Sequence, residues 1–224
     1  MHFAAALALL SVLAGYPEAQ EQKPKVLVSF PQEKTDIFAW MRDNQWKSKR
    51  NDPGRFKIED GALRMVSDND SVLLATERGF PVDPRLWPKL RMTFRVGKIP
   101  EGADLSRKNG DDSAFRVYVA FERGGGIFSP PHTIAYAWTE NLESGRAVQS
   151  AHFKNLRYLS IGSGVPAAPD WITVERDLLE DYRRLFPKHA DEVPLLRGIA
   201  LKCDTNNTGG SAESWLSKIE LLPR

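Results

Sequence analysis

The sequence predicts an all-β protein, an antiparallel jelly-roll-type β-sandwich with one short covering helix near residues 177–186. Three observations support this fold class. Short stretches after Lys25 alternate apolar and polar residues, turn residues separate them at a spacing typical of sandwiches, and one segment has the amphipathic pattern of a helix. A length of 224 residues fits one domain better than two.

The strands are predicted in order along the chain. The pair Asp60-Gly61 separates two alternating runs, which is a strong signal for a tight hairpin. Elsewhere the alternation has a period of two, so each strand presents an apolar face to a core and a polar face to solvent. We predict eleven strands, over residues 26–30, 56–59, 62–66, 71–75, 90–96, 115–121, 133–139, 158–161, 171–175, 197–203 and 214–221.

The helix is predicted from Asp177 to Phe186. Leu178, Tyr182 and Leu185 fall on one helical face, and charged residues fall on the other. Asp177 has the side chain of an N-cap, and Pro187 stops the helix. A single helix in an all-β chain is expected to cover one end or edge of a sheet.

The N-terminal segment predicts export. Residues 3–14 carry no charge but are too few to span a bilayer, and they match the apolar centre of a secretory signal peptide. We predict a signal peptide over residues 1–19, a single β-sandwich domain over 20–224, and a periplasmic or secreted location. Tyr16 stands where a lipoprotein needs its Cys, so no lipid anchor is expected. The alternative is a buried N-terminal helix. No later stretch is apolar enough to span a membrane.

Composition excludes several classes of protein. The chain has 31 Lys+Arg and 29 Asp+Glu, a formal charge of +2, and no run of basic residues, which argues against nucleic-acid binding. Its one Cys cannot form an internal disulfide, and Cys203 is expected to be a buried, inert thiol.

Several motifs in the second half of the chain occur in a recognisable order. They are an acidic pair before an Arg-x-Tyr strand (Asp111–Tyr118), a Tyr-x-Trp strand (Ala135–Trp138), a helix with Arg-Asp and Asp-Tyr pairs (Arg176–Phe186), and the loop Asp204–Gly209. This combination resembles an uncharacterised family of exported bacterial proteins, a domain of unknown function. Asn206 stands where the family's loop has its second Asp. The resemblance implies a β-sandwich similar to galactose-binding-like and other carbohydrate-binding modules, and it implies no established activity.

A ligand-binding face is predicted from the strand alternation. Arg116 and Tyr118 lie opposite the apolar residues of their strand, Tyr136 and Trp138 share a face, and Lys202 shares one with Asp204. If these faces coincide, one sheet presents aromatic and charged groups suited to a carbohydrate or another small polar ligand, favouring an acidic one. Alternatively, Tyr136 and Trp138 belong to the core and Arg116 pairs with a carboxylate across strands.

The sequence also suggests a calcium site, with no other cofactor expected. The oxygen-rich loop after Asp204 supplies candidate ligands in Asp204 and Asn206, with Asp111 joining them if the fold brings it close. The alternative is a polar turn in which Asp and Asn bind the backbone.

Catalysis remains a second hypothesis. Asp112, Glu122 and Asp204 are the candidates for a carboxylate pair in a glycan-active hydrolase or lyase, a role that depends on their separation in space. His132 and His152 are further candidate acids or bases. Three functions therefore stay open: a binding module, an enzyme acting on glycans, and a structural protein of the cell envelope that binds a protein partner.

Overall fold

The computed structural model describes residues 23–123, 129–166 and 170–224. The predicted signal peptide lies outside these residues. Within them the chain forms thirteen strands and two α-helices, in the order β1 (Lys25–Ser29), α1 (Ile37–Asp43), β2 (Lys47–Arg50), β3 (Lys57–Glu59), β4 (Ala62–Asp68), β5 (Ser71–Thr76), β6 (Lys89–Lys98), β7 (Ser113–Phe121), β8 (His132–Thr139), β9 (Ala147–Gln149), β10 (Leu156–Ser163), β11 (Ile172–Asp177), α2 (Leu178–Leu185), β12 (Leu196–Asp204) and β13 (Ser211–Leu222).

The predicted all-β, jelly-roll-type sandwich is confirmed. The first sheet has the strand order β11-β6-β13-β4-β3, with β1 pairing alongside β13, and the second has the order β2-β5-β12-β7-β8-β10-β9. Among the described strands the pairings are antiparallel, except that β8 and β10 run parallel. The long segment between these two strands allows a parallel return, which alternation within single strands does not reveal.

The core lies between the two sheets. Apolar residues of β6 and β13 face those of β7, β8 and β12 across it. At the centre, the rings of Phe94 and Phe115 stack with centroids 4.2 Å apart, and Trp138 meets Phe94 edge-on at 5.8 Å. The predicted Asp60-Gly61 hairpin joins β3 to β4, and both residues have the positive φ that a tight turn of this kind requires (53° and 71°).

The two helices pack against the sandwich and contribute to its core. In α2, Asp177 caps the N-terminus by accepting hydrogen bonds from the amides of Leu179 and Glu180, as predicted. Helix α1 was not predicted, although Ile37, Trp40 and Met41 have helical spacing and are buried. No helix in the described part of the chain is long and apolar enough to cross a membrane.

Candidate ligand-binding groove

A groove of about 760 Å³ lies on the outer face of the second sheet. Small side chains make its floor, because β5, β7 and β12 place Ala75, Ala120 and Ala200 on this face. Alternation sends their neighbours Val119, Ile199 and Leu201 into the core. Other groups that surround the floor come from strands and from the loops that join them, among them Arg50, Leu73, Glu77, Asp111, Tyr118, Ser129, Pro130, Pro131, His152, Phe153, Tyr158, Arg197, Lys202, Asn206 and Asn207.

A buried hydrogen-bond network fixes one end of the groove. Arg116 is completely buried, and it donates through Nη1 to Asp111 Oδ1 at 2.9 Å and to Tyr118 Oη at 3.0 Å. Its Nε donates to Ser113 Oγ at 2.8 Å. Tyr158 donates its hydroxyl proton to the other oxygen of Asp111 at 2.7 Å. Asp111, Tyr118 and Tyr158 therefore reach the groove already held in one geometry.

A second ion pair lies beside this network. Lys202 is opposite Arg116 in the β7–β12 register, and its ammonium group donates to Asp204 Oδ2. Burial lowers the pKa of Lys202, and the positive charge of Arg116 lowers it further, while Asp204 acts in the opposite direction. Burial also disfavours the charge of Arg116, but the Tyr118 oxygen and Asp111 outweigh burial and hold the pKa of Arg116 above its usual value.

The loop between β9 and β10 forms one wall. The His152 Nε2 lies 3.1 Å from the carbonyl oxygen of Lys108 and 3.8 Å from Asp111 Oδ2. Its neighbour Phe153 is 55% exposed, which is unusual for a side chain of this size. Together these residues give the groove an apolar side next to its charged end.

The structure corrects the prediction for Tyr136 and Trp138. They pair with Val117 and Phe115 across the β7–β8 ladder, so they point into the core and away from Arg116 and Tyr118. The Tyr136 hydroxyl donates to Asp181 Oδ2 at 3.2 Å, and Trp138 Nε1 donates to the carbonyl of Gly164 at 2.8 Å. Because β8 is buried on both faces, alternation of polarity could not identify its outer side.

The three candidate catalytic carboxylates do not form a pair in the groove, and none lines it. Asp112 precedes β7 and Glu122 follows it, so about 33 Å of strand separates them, far more than the roughly 5–9.5 Å of a glycosidase pair. Asp112 accepts hydrogen bonds from the amides of Asn207 and Thr208 and holds their loop in place. Asp204 is paired with Lys202, and Glu122 is exposed.

The proposed calcium ligands are brought to one region but are already engaged. Asp111 binds Arg116 and Tyr158, and Asp204 binds Lys202 through one oxygen; its other oxygen has no hydrogen-bond partner among the described residues. Asn206 is exposed at the rim. Within residues 23–123, 129–166 and 170–224, no three His, Cys, Asp or Glu side chains lie close enough to hold a metal. Calcium binding stays a prediction, which the nearby cations oppose.

The sequence interpretation missed Tyr158 as a site residue. Its strand was predicted, but its contact with Asp111 depends on the parallel pairing of β8 and β10. Arg116, Tyr118 and Lys202 were placed correctly on one outer face. Arg116 lies beneath the groove and positions Asp111 and Tyr118 rather than lining it.

The profile of a family described as a protein of unknown function, DUF3047, matches residues 29–220. The chain belongs to DUF3047. The match extends about eighty residues upstream of the motifs that carried the resemblance, to include the first-sheet strands and helix α1. No curated protein matches the sequence.

Solved structures similar to this DUF3047 chain are distant. A family 11 carbohydrate-binding module of the cellulase Lic26A-Cel5E of Clostridium thermocellum has a TM-score of 0.41 at 9% identity, covering 90% of this chain and 95% of that chain. The carbohydrate recognition domain of Emp46p has a TM-score of 0.44 at 14% identity, and the match covers 90% of this chain and 98% of that chain. A variant of the Cel12A cellulase of Rhodothermus marinus has a TM-score of 0.43 at 12% identity, and the match covers 79% of this chain and 96% of that chain. At these identities the site residues are assigned from this chain's own geometry.

Proposed function

We propose that this protein is a binding module that holds a carbohydrate or another small polar ligand in the groove on the outer face of the second sheet. The observation that carries the proposal is the groove itself, whose 760 Å³ falls within the roughly 300–1,000 Å³ typical of small-molecule sites. Its floor is apolar and its end is polar, a combination that suits a ligand with both ring faces and hydroxyl groups.

The polar end of the groove supports binding because it is organised before a ligand arrives. Lys202 and Asp111 are only 8% and 7% exposed, and hydrogen bonds to other buried groups hold both of them. A ligand hydroxyl meets side chains that have already lost their rotamer freedom, so binding costs less conformational entropy. Asn206 and Asn207 add exposed amide groups at the rim.

The charge of the lining favours a ligand that is neutral or weakly acidic. Three cationic residues, Arg50, Arg197 and Lys202, face two carboxylates, Glu77 and Asp111. The excess of one positive charge suits a sugar bearing at most one acidic substituent. We further propose that the ligand is met outside the cytoplasm, in the periplasm or as a secreted protein, because the apolar residues 3–14 have the pattern of a signal peptide.

A binding role is preferred to glycan hydrolysis. The enzyme hypothesis needs two carboxylates facing one another across a substrate, and the three candidates are separated or committed to structural hydrogen bonds. Within the groove lining, the carboxylates are Glu77 and Asp111, and Asp111 is bound by Arg116 and Tyr158. We therefore expect saturable binding without turnover.

The test blocks the groove with a side chain and leaves its polar network intact. Ala200 is half-buried at the centre of the floor, and Ala200→Trp fills the space above it. A thermal-shift screen of the mature chain with neutral and acidic oligosaccharides should reveal ligands that raise the midpoint, since a ligand bound only by the native state stabilises it. Ala200→Trp should remove that rise.

Ala147→Trp is the matched control, because Ala147 is exposed on the edge strand β9 and does not line the groove. It should keep the wild-type response. Loss of the response in both variants, or in neither, would contradict binding in the groove. Release of product from a bound oligosaccharide would replace the binding module with an enzyme.

A further inference from the structure

A second pocket, about 400 Å³ in volume, lies where β7 ends, β8 and β10 begin, and the chain leaves α2. Its lining is strongly basic. Four Lys and Arg residues and two His residues contribute to it, and no carboxylate does: Arg123, His132, Lys154, Asn155, Arg157, Phe186, Pro187, Lys188 and His189. The whole chain has a formal charge of only +2, so positive charge is concentrated at this pocket. We call this set of residues the basic pocket.

Arg157 presents donors that the protein does not use. Its Nη1 donates to the carbonyls of Lys154 and Leu156 at 2.8 and 3.2 Å. Its guanidinium lies over the ring of Phe186 at 5.0 Å. In the part of the chain that the structure describes, Nε and Nη2 have no acceptor. Burial lowers the pKa of Arg157, which indicates that its charge has lost hydration without gaining a carboxylate partner.

The other cations of the basic pocket are also without carboxylate partners among the described residues. Lys154 and Lys188 are exposed and extend from two different segments, and Arg123 follows β7. The acidic residue Glu192 lies close by, but its Oε1 is 2.7 Å from His189 Nδ1 and forms no ion pair with these four cations. Four uncompensated positive charges repel one another, and an anion placed between them relieves this repulsion.

A rigid aromatic floor supports these charges. His132 stacks on Phe186 with centroids 4.2 Å apart and ring planes 7° apart, and His132 Nδ1 lies 2.8 Å from the Tyr182 hydroxyl oxygen. His189 meets the same imidazole edge-on at 4.6 Å. Because packed rings hold Phe186 and His132, the arginine that stacks on Phe186 is held in a defined orientation as well.

We propose that the basic pocket binds a tetrahedral oxyanion, a phosphate or sulfate group, either free or as the ester of a larger molecule. Two guanidinium groups and two ammonium groups supply directed donors and charge for such a group. The pocket has room for the anion and its first substituent. No residue lines both pockets, although the starts of β8 and β10 and the loop between β9 and β10 contribute different residues to each, so this site stands independently of the proposed function.

The experiment measures binding of inorganic phosphate, inorganic sulfate and a sugar phosphate by titration calorimetry at constant ionic strength. We expect saturable one-to-one binding of at least one of the three. Lys154→Gln/Lys188→Gln should weaken it by about tenfold or more, as for the loss of charged hydrogen bonds. Both lysines are exposed, so the variant is expected to fold. A free anion and an ester are distinguished by which of the three probes binds most tightly.

The control is Lys34→Gln/Lys57→Gln, which removes the same charge from exposed lysines outside both pockets. It should bind as the wild type does. Equal weakening in both double variants would mean that net charge alone attracts the anion, and absence of saturable binding to all three probes would also overturn the proposal. Ala200→Trp should still bind the anion; loss of binding in that variant would assign the anion to the groove and overturn the proposal.

Discussion

At the scale of single residues, burial decides the role of each polar side chain. Arg116 and Tyr118 lie two residues apart on one face, yet Arg116 is fully buried while Tyr118 remains half-buried and lines the groove. Removing one partner of a buried ion pair costs about 3–5 kcal/mol, so Arg116 is committed to holding Asp111. In the proposed binding mode, Tyr118, Lys202 and Asp111 are the side chains of this network that line the groove and contact the ligand.

His132 gives a residue-scale prediction on pH. Its burial, and after that the charges of His189 and Arg123, lower its pKa from 6.5 to about 4. Between these values the unfolded chain binds more protons than the folded one, so the stability due to neutral His132 is complete above pH 6.5 and is lost as pH falls toward 4. The free energy of unfolding that is lost in this way amounts to at most about 3 kcal/mol.

His132→Phe keeps an aromatic ring against Phe186 but cannot take up a proton. Chemical denaturation of both proteins between pH 7 and 4 should therefore show the wild type losing more unfolding free energy than the variant across this range. Parallel curves for the two proteins would mean that His132 titrates alike in the folded and unfolded states.

At the scale of secondary-structure elements, one carboxylate holds α2 against the sandwich. Asp181 is 1% exposed, and it accepts from Arg176 Nε at 2.9 Å and from the Tyr136 hydroxyl at 3.2 Å. Burial raises the pKa of Tyr136, and the charge of Asp181 raises it further, so the phenol stays protonated and donates. The contact joins a core strand, an edge strand and the helix.

Removing this carboxylate tests the anchor. Asp181→Ala leaves Arg176 without its carboxylate and should lower the free energy of unfolding by about 2–3 kcal/mol, below the full value for a buried pair because Arg176 retains some access to water. Glu180→Ala, one position earlier and exposed, should cost less than about 0.5 kcal/mol. Equal losses in urea denaturation would show that the loss of a negative charge from the first turn of α2, and not the loss of the anchor, sets the effect.

The elements differ in how well the sequence predicts them. The alternating residues of β7 and β12 identified both strands and their outer faces, since each has one apolar face. Strand β2 reads Lys-Ser-Lys-Arg and is exposed throughout, so its sequence has no alternation of apolar and polar residues. It is recognised as a strand only from its pairing with β5 in the structure. Helix α1 did carry a signal, because Asp36 caps a segment in which Ile37, Trp40 and Met41 share one face.

The candidate sites depend on contacts that join distant parts of the chain. Alternation grouped Arg116, Tyr118 and Lys202, but Tyr158 reaches Asp111 only through the order of strands in the second sheet. The basic pocket could not be predicted from local patterns either, since Arg123, Arg157 and Lys188 lie far apart and form no basic run in the sequence. Local patterns predict faces of strands, whereas pockets arise from packing between elements.

At the scale of the whole molecule, the two sheets have different outer faces. The first sheet presents Trp171 and Trp215, with the Arg95 guanidinium lying 4.0 Å from the Trp215 ring, and this aromatic surface is an alternative platform for a ligand. The second sheet has the groove with its organised polar end. We propose that the ligand binds to the second sheet and not to the first.

Amide chemical-shift mapping by NMR tests that claim directly. The chain without residues 1–19 is titrated with the neutral or acidic oligosaccharide that most raises its thermal midpoint. We expect shifts concentrated on β5, β7, β12 and the loop between β9 and β10, with saturation at the same ligand concentration for each residue. Shifts concentrated around Trp171 and Trp215, or no saturable shifts on the second sheet, would contradict it.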